Sequence, residues 1–299
     1  MKLLTLLFLP LLFVPAARAD DRAQEILKQA REAIGGAERL QKIEALHIDG
    51  QYRRVFGERQ MTGEREISIL LPNKYLVEDS LNPGGLSTAM INTRALNGDR
   101  AWSGSSGGGG GMIIRMGGPG GQQASPEQME AMLRRIYQAE LARYLLALTL
   151  APPASLALEY KYAGESDVDG EQADVLDVTG PEKFSARMFF DKKSHLPSLL
   201  SYRGPKPRVV TMSRPANATP KTEDLQKARD EAQKKLQAEG AGAPEEVDFY
   251  IRLSDHKKVD GVTLPFKLTF LTESEVSEEF EISKYQLNPQ FKADKFEKH

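Results

Sequence analysis

Acid–base, nucleophilic and metal chemistry need particular side chains at particular spacings, and this sequence offers few of them. Its four histidines, His47, His195, His256 and His299, are scattered, with no H-E-x-x-H run and no pair at helical spacing. The absence of cysteine removes thiol nucleophiles, thiolate metal ligands and any disulfide framework. No G-x-S-x-G elbow marks a serine nucleophile. Asp167-Val168-Asp169-Gly170 begins like a calcium loop but lacks the later ligands and the closing Glu, so it reads as an acidic turn. The glycine-rich stretch has neither the Lys-Ser/Thr of a phosphate loop nor the G-x-G-x-x-G spacing. Asn217-Ala218-Thr219 is a formal glycosylation sequon and marks only a loop. These residues predict no enzyme, no metal and no cofactor; the remaining catalytic alternative is an exported hydrolase with a dispersed site.

What is left is the chemistry of burying apolar surface, and the elements that could do it are legible. Asp20 to Ile34 reads as a helix whose apolar face holds Ile26, Leu27, Ala30, Ala33 and Ile34, stopped by Gly35-Gly36. A short helix over Ala37–Ile43 follows. Five β runs come next: His47–Val55, Thr62–Leu70, Lys74–Asp79, Thr88–Leu96 and Asp99–Ser103. Arg65-Glu66-Ile67-Ser68-Ile69 alternates as a strand with one wet and one dry face, and Asn97-Gly98 signals a tight hairpin. Residues 103–123 hold ten glycines around Met112-Ile113-Ile114 and Met116, the composition of a surface loop or of a mobile flap with an apolar tip. Ser125-Pro126-Glu127-Gln128 then opens a helix with a capping box and runs to about Leu150, ahead of Pro152-Pro153. Its second half, Leu141 to Leu148, is apolar on more than one side and must be covered on two surfaces.

A second β block spans Ala157–Gly164, Glu171–Thr179, Ala186–Asp191 and Leu196–Tyr202. The charged segment 221–239 reads as a solvated helical insertion, with Glu223/Lys227, Asp230/Lys234 and Glu231/Lys235 four apart. Phe249–His256, Thr263–Leu271 and Val276–Leu287 close the chain. The expected fold is α+β: two antiparallel blocks forming a curved sheet or half-open antiparallel β-barrel, with helices capping or filling the concave face.

The opening residues bound where this fold works. Lys2, an apolar run from Leu3 to Val14 and Ala17-Arg18-Ala19 form the charged, apolar and small-residue regions of a secretory signal peptide, with cleavage expected after Ala19. The run is short of the ~20 residues of a membrane span, and no Cys stands near the cleavage point to carry lipid. With 40 basic and 42 acidic side chains the chain has no electrostatic case for nucleic acid. The expected organisation is a leader over 1–19 and one domain over 20–299, with a glycine-rich insertion at 103–123 and a charged helical insertion at 214–247.

Several stretches together resemble the LolA-like group, the periplasmic lipoprotein-sorting carriers and their relatives. Ile26 to Gly36 looks like the first helix with its Gly-Gly stop, and Leu71-Pro72-Asn73-Lys74-Tyr75 like the break between two strands. Asn97-Gly98-Asp99-Arg100-Ala101-Trp102 is similar to the family's hairpin. Met188-Phe189-Phe190-Asp191 with Leu196-Pro197 looks like a later strand pair. Lys258 to Pro265, then Asn288-Pro289 and Phe296, resemble the closing strands. The resemblance implies a half-open barrel whose hollow holds acyl chains beneath a lid. The implied cavity residues are Ile67, Ile69, Trp102, Leu145, Leu148, Ile251, Leu253, Leu268 and Phe270. Lid positions are Leu71, Met112, Ile113 and Ile114. The sorting carriers have an Arg before the equivalent of Pro72 that holds the lid closed. Leu71 stands there in this sequence, so the latch is absent or built differently and the cargo need not be a lipoprotein.

The function expected is that of a non-catalytic, monomeric periplasmic carrier for a lipid or an acylated protein, acting as a chaperone in transport or outer membrane biogenesis. It would touch membranes only transiently and bind no nucleic acid. The alternative is an envelope protein-binding or stress-sensing module on the same fold, using the charged helix or a sheet edge.

Overall fold

The computed structural model describes residues 17–56, 59–81, 90–106, 125–206 and 245–298. Each of the expected β runs forms a strand. The first five are β1 (Ala45–Phe56), β2 (Arg59–Leu70), β3 (Lys74–Leu81), β4 (Met90–Asn97) and β5 (Arg100–Ser106). The next four are β6 (Glu159–Val168), β7 (Glu171–Thr179), β8 (Ser185–Asp191) and β9 (Pro197–Pro205), and the last three are β10 (Glu246–Val259), β11 (Val262–Thr272) and β12 (Glu275–Leu287). The helices are α1 (Ala17–Ile34), α2 (Ala37–Gln41) and α3 (Pro126–Leu148).

The two expected blocks are one sheet. Twelve strands run in the order β5-β4-β3-β2-β1-β12-β11-β10-β9-β8-β7-β6, every neighbour antiparallel. The seam between blocks is the pairing of β1 with β12, which sets Ile48 opposite Tyr285 and Tyr52 opposite Phe280. Every other pair of neighbours is consecutive in the chain, so the joining of first and last strands is the pairing that chain order does not announce. The edge strands β5 and β6 are not paired with each other, and the curved sheet stays open. This bears out the half-open antiparallel architecture.

The connection from β5 to β6 must travel from one edge of the sheet to the other, and α3 makes that journey across the concave face. It packs on β4 and β5 near its start and reaches β9. Ser125 caps it as expected: Gln128 N donates to Ser125 Oγ at 3.2 Å, and Ser125 N donates to Gln128 Oε1 at 2.9 Å. Burial of Leu141, Ala142, Tyr144, Leu145, Leu146, Ala147 and Leu148 explains why its last two turns are apolar nearly all round. The helix ends at Leu148, two residues before the expected stop, because Thr149 leaves helical geometry and bonds back to Leu145 O.

α1 packs on β6 and β11 and against α2. Ala23, Ile26, Leu27, Ala30 and Ile34 face the core, while Ala33 is only half-buried. Gly36 ends it with φ +91°, a backbone conformation that L side chains rarely adopt. The short helix α2 stops at Gln41 rather than Ile43. A smaller cluster lies on the convex face, where Phe291 and Phe296 of the C-terminal segment pack on Leu76, Ala95 and Trp102.

Of the two expected insertions, Ser103–Ser106 continues β5 and 245–247 leads into β10. The rest of each, with the sequon and residues 1–16 of the leader, lies outside the described residues.

Candidate functional site

Cross-strand register places the expected cavity residues. Ile67, Ile69, Ile251, Leu253 and Leu268 point from the sheet to the concave face, Leu145 and Leu148 point from α3, and all are buried in one core. Phe270 is partly buried against the same core. The structure brings these eight together, with α3 filling the hollow between them. Trp102 is the exception. Its neighbour Ala101 belongs to the concave core, so the period of two sends Trp102 to the convex cluster with Phe291 and Phe296. It cannot line the concave face. Met112, Ile113 and Ile114 lie outside the described residues.

Leu71 reaches an open cleft. A cavity of about 460 Å³ sits where the C-terminal end of α3 leaves the sheet, between α1–α2 and the start of β6. Leu40, Ile43, Leu71, Leu150 and Leu158 supply apolar walls, and Pro152-Pro153 forms a rigid side. Leu40 and Leu150 belong to the main core, so the cleft is continuous with it. Three polar side chains border it: Arg31, Gln41 and Tyr160. Arg31 donates from Nε to Leu150 O at 3.0 Å, which fixes its guanidinium at the wall. The Tyr160 hydroxyl is buried without a hydrogen-bond partner, and desolvation pushes its pKa up to about 12. That hydroxyl is therefore a neutral donor at any physiological pH.

The opposite end of the concave face is charged. Arg65, two residues before Ile67 on the same face of β2, is only 2% exposed. Its Nε and Nη2 donate to the two carboxylate oxygens of Asp79 on β3, at 2.6 and 3.1 Å, and Nη1 donates to Glu278 of β12. The guanidinium lies 4.8 Å from the Tyr52 ring centroid and 5.3 Å from that of Phe280. Arg54 pairs with Glu278, and Arg94 on β4 donates to Glu140 of α3 at 3.0 Å. Three guanidinium groups thus meet three carboxylates. Burial alone would raise the Asp79 pKa, but Arg65 and Arg94 hold it at about 2, and Glu278 is lowered in the same way by Arg65 and Arg54.

Glycines make room for this network. Gly50 stands opposite Arg65, and Gly63 opposite Tyr52. A Cβ on Gly50 would come within 2.8 Å of the Phe280 ring, and one on Gly63 within 3.0 Å of the Tyr52 ring. Both rings lie flat over strand positions that have no side chain. The sequence reading passed over this network, although its signal is present. Isolated glycines inside strand patterns, and an Arg at dry-face parity with Ile67 and Ile69, both mark the place.

The convex face of β1 and β2 carries a Ser–His–Asp line. His47 Nδ1 lies 3.1 Å from Ser68 Oγ, and Nε2 lies 3.0 Å from Asp49 Oδ1. The geometry does not make a hydrolase. Ser68 is 1% exposed and cannot meet a scissile carbonyl. The backbone N–H groups of both strands are committed to the ladder, leaving no oxyanion donors beside the hydroxyl. Gly170 N donates to Asp167 Oδ1 at 2.8 Å, so the calcium-like motif is the β6–β7 turn, as expected.

Among the described residues no helix is long and apolar enough to cross a membrane. No protein-family model matches the sequence, and no curated protein matches it. Solved structures are similar at low identity. A LolA superfamily protein from Nitrosomonas europaea is 10% identical with a TM-score of 0.45, over 92% of this chain and 97% of that one. A DUF1329 family protein from Desulfovibrio piger is 11% identical with a TM-score of 0.45, again over 92% of this chain and 97% of that one. A domain from Vibrio parahaemolyticus described as outer membrane lipoprotein-sorting is 10% identical with a TM-score of 0.45, over 95% of this chain and 97% of that one.

Proposed function

We propose that this chain is a non-catalytic carrier that takes the acyl chain of a lipid or lipidated protein into the cleft beside Leu71. The observation that carries this reading is the cleft itself: apolar walls, direct continuity with the core, and three polar side chains at its border. A volume of about 460 Å³ lies within the ~300–1,000 Å³ of small-molecule sites. Each methylene moved out of water contributes ~0.8 kcal/mol, so burial of ten or so suffices for binding without any bond being made or broken. The Arg31 guanidinium on the lining suits an acidic or ester head group, and the buried, unpaired Tyr160 hydroxyl can donate within the cleft. The signal-peptide pattern of residues 1–19 supports export with cleavage after Ala19, and a monomer in the periplasm would diffuse between membranes.

The test is uptake of a fluorescent fatty acid by the full mature chain, with native mass spectrometry of protein purified without detergent. Co-purified lipid and one probe per chain are expected, with binding weakened tenfold or more by Leu158→Trp, which fills the cleft. A clean apo mass with no probe uptake overturns the reading.

A further inference from the structure

The convex face of β1 and β2 holds a group of side chains that the acyl cleft leaves unused. Antiparallel register sets His47 opposite Ser68 and Asp49 opposite Glu66, so all four project from the same side of the sheet. One ligand atom from each of His47, Asp49 and Glu66 lies within 4.8 Å of the others. Asp49 and Glu66 are like charges directly across an antiparallel pair, an arrangement that costs stability unless something positive joins it. Among the described residues no Lys or Arg comes within 4.0 Å of either carboxylate. Lys284, the register partner of Asp49 on β12, is exposed and outside that range.

His47 is held as a metal-binding imidazole is held. Its Nδ1 faces the hydroxyl of Ser68, a buried group that can accept the Nδ1 proton and leave Nε2 with a free lone pair. The Phe291 ring packs edge-on against it at 6.2 Å and limits its rotation. Nε2 lies 3.0 Å from Asp49 Oδ1, where it donates in the Nε2–H tautomer and gives way to a cation in the Nδ1–H tautomer, and Glu66 approaches from the next strand.

We propose that His47 Nε2, Asp49 and Glu66 bind a divalent cation of the Zn²⁺ class. One imidazole nitrogen and two carboxylates suit that ion, at ~2.0–2.2 Å per ligand with the fourth position left to water. The three ligand atoms already lie within 4.8 Å of one another. The cation neutralises the opposed carboxylates and ties β1 to β2 on the face away from the cleft, so the site stands or falls separately from lipid carriage.

The test is titration of the metal-free, untagged full chain with Zn²⁺, read by calorimetry and by competition with a chromophoric chelator. One Zn²⁺ per chain is expected. His47→Ala should abolish binding, and Glu66→Gln, at an exposed position that the fold does not need, should weaken it tenfold or more. Ser68→Ala should weaken it by about 10–100-fold through loss of the imidazole's partner. Far-UV circular dichroism confirms that each variant is folded. No binding by the parent chain at 100-fold excess Zn²⁺, or unchanged affinity in folded His47→Ala and Glu66→Gln, overturns the proposal.

Discussion

The two ends of the concave face are buried by different physics. Towards the cleft, α1 and the last turns of α3 lay Leu, Ile and Ala side chains on an apolar sheet, and contact requires only shape. At the other end the same face is held by Arg65, Asp79 and Glu278, where each partner is tolerable only because the others are present. An apolar interface can slide, open or admit a foreign chain at a cost proportional to area. A buried ion triad cannot, since separating it leaves bare charge in a poor solvent. The contrast separates two structural parts: the charged end anchors β1, β2, β3 and β12 to one another, and the apolar end is held by contacts whose cost of opening scales with area.

Breaking the anchor should have the largest effect. Arg65→Ala leaves Asp79 and Glu278 buried without a cation and should cost about 3–5 kcal/mol in urea unfolding. Replacing Arg65, Asp79 and Glu278 together by apolar residues of similar size should recover most of that loss. If the single variant proves harmless, the anchor reading fails.

At the apolar end, Leu145→Ala should cost about 2–5 kcal/mol by the same measurement, and the loss should be independent of pH. A pH-dependent loss there would blur the distinction between the two ends.

Acid sharpens the comparison further. The Asp79 pKa, depressed from 3.8 to about 2, stabilises the fold above the unfolded value, and that contribution fades as pH falls from about 4 towards 2. It is worth about 2 kcal/mol. Unfolding of the parent chain should show this acid-labile part, and Asp79→Asn should lose it.

The smallest effect belongs to the Arg94–Glu140 ion pair, which links the charged end to α3. Arg94–Glu140 is partly exposed, so Glu140→Gln should change stability by less than about 1 kcal/mol. If α3 yields during loading, that variant should take up the fatty-acid probe faster while its equilibrium affinity barely changes. An unchanged rate would mean that the pair does not restrain the helix.

Much of this architecture was legible because its causes are local. A period of two marks a half-buried strand wherever it occurs, and a Ser-Pro-Glu-Gln start caps a helix whatever it packs on. The Leu141–Leu148 run announced a helix covered on two sides, which is how α3 lies. Trp102 was misplaced because alternation orders residues relative to one another without saying which set faces inward, and an aromatic on either face looks the same. The Arg65 network was missed because Arg65 and Glu278 are 213 residues apart and meet only through the β1–β12 seam. His47 looked isolated for a similar reason, since hairpin register brings Glu66 and Ser68 beside it from nineteen or more residues away.

By itself, then, the sequence determined the elements, their order, their amphipathic faces and the lack of a contiguous catalytic motif, all of which depend on steric and solvation preferences over a few residues. Only the tertiary structure decided that the two blocks are one open sheet, that three guanidinium groups meet three carboxylates inside it, and that a cleft remains beside Leu71. Those depend on which distant strands pair and in what register. That choice is made by the summed burial of a whole face, and no short stretch of the chain contains it.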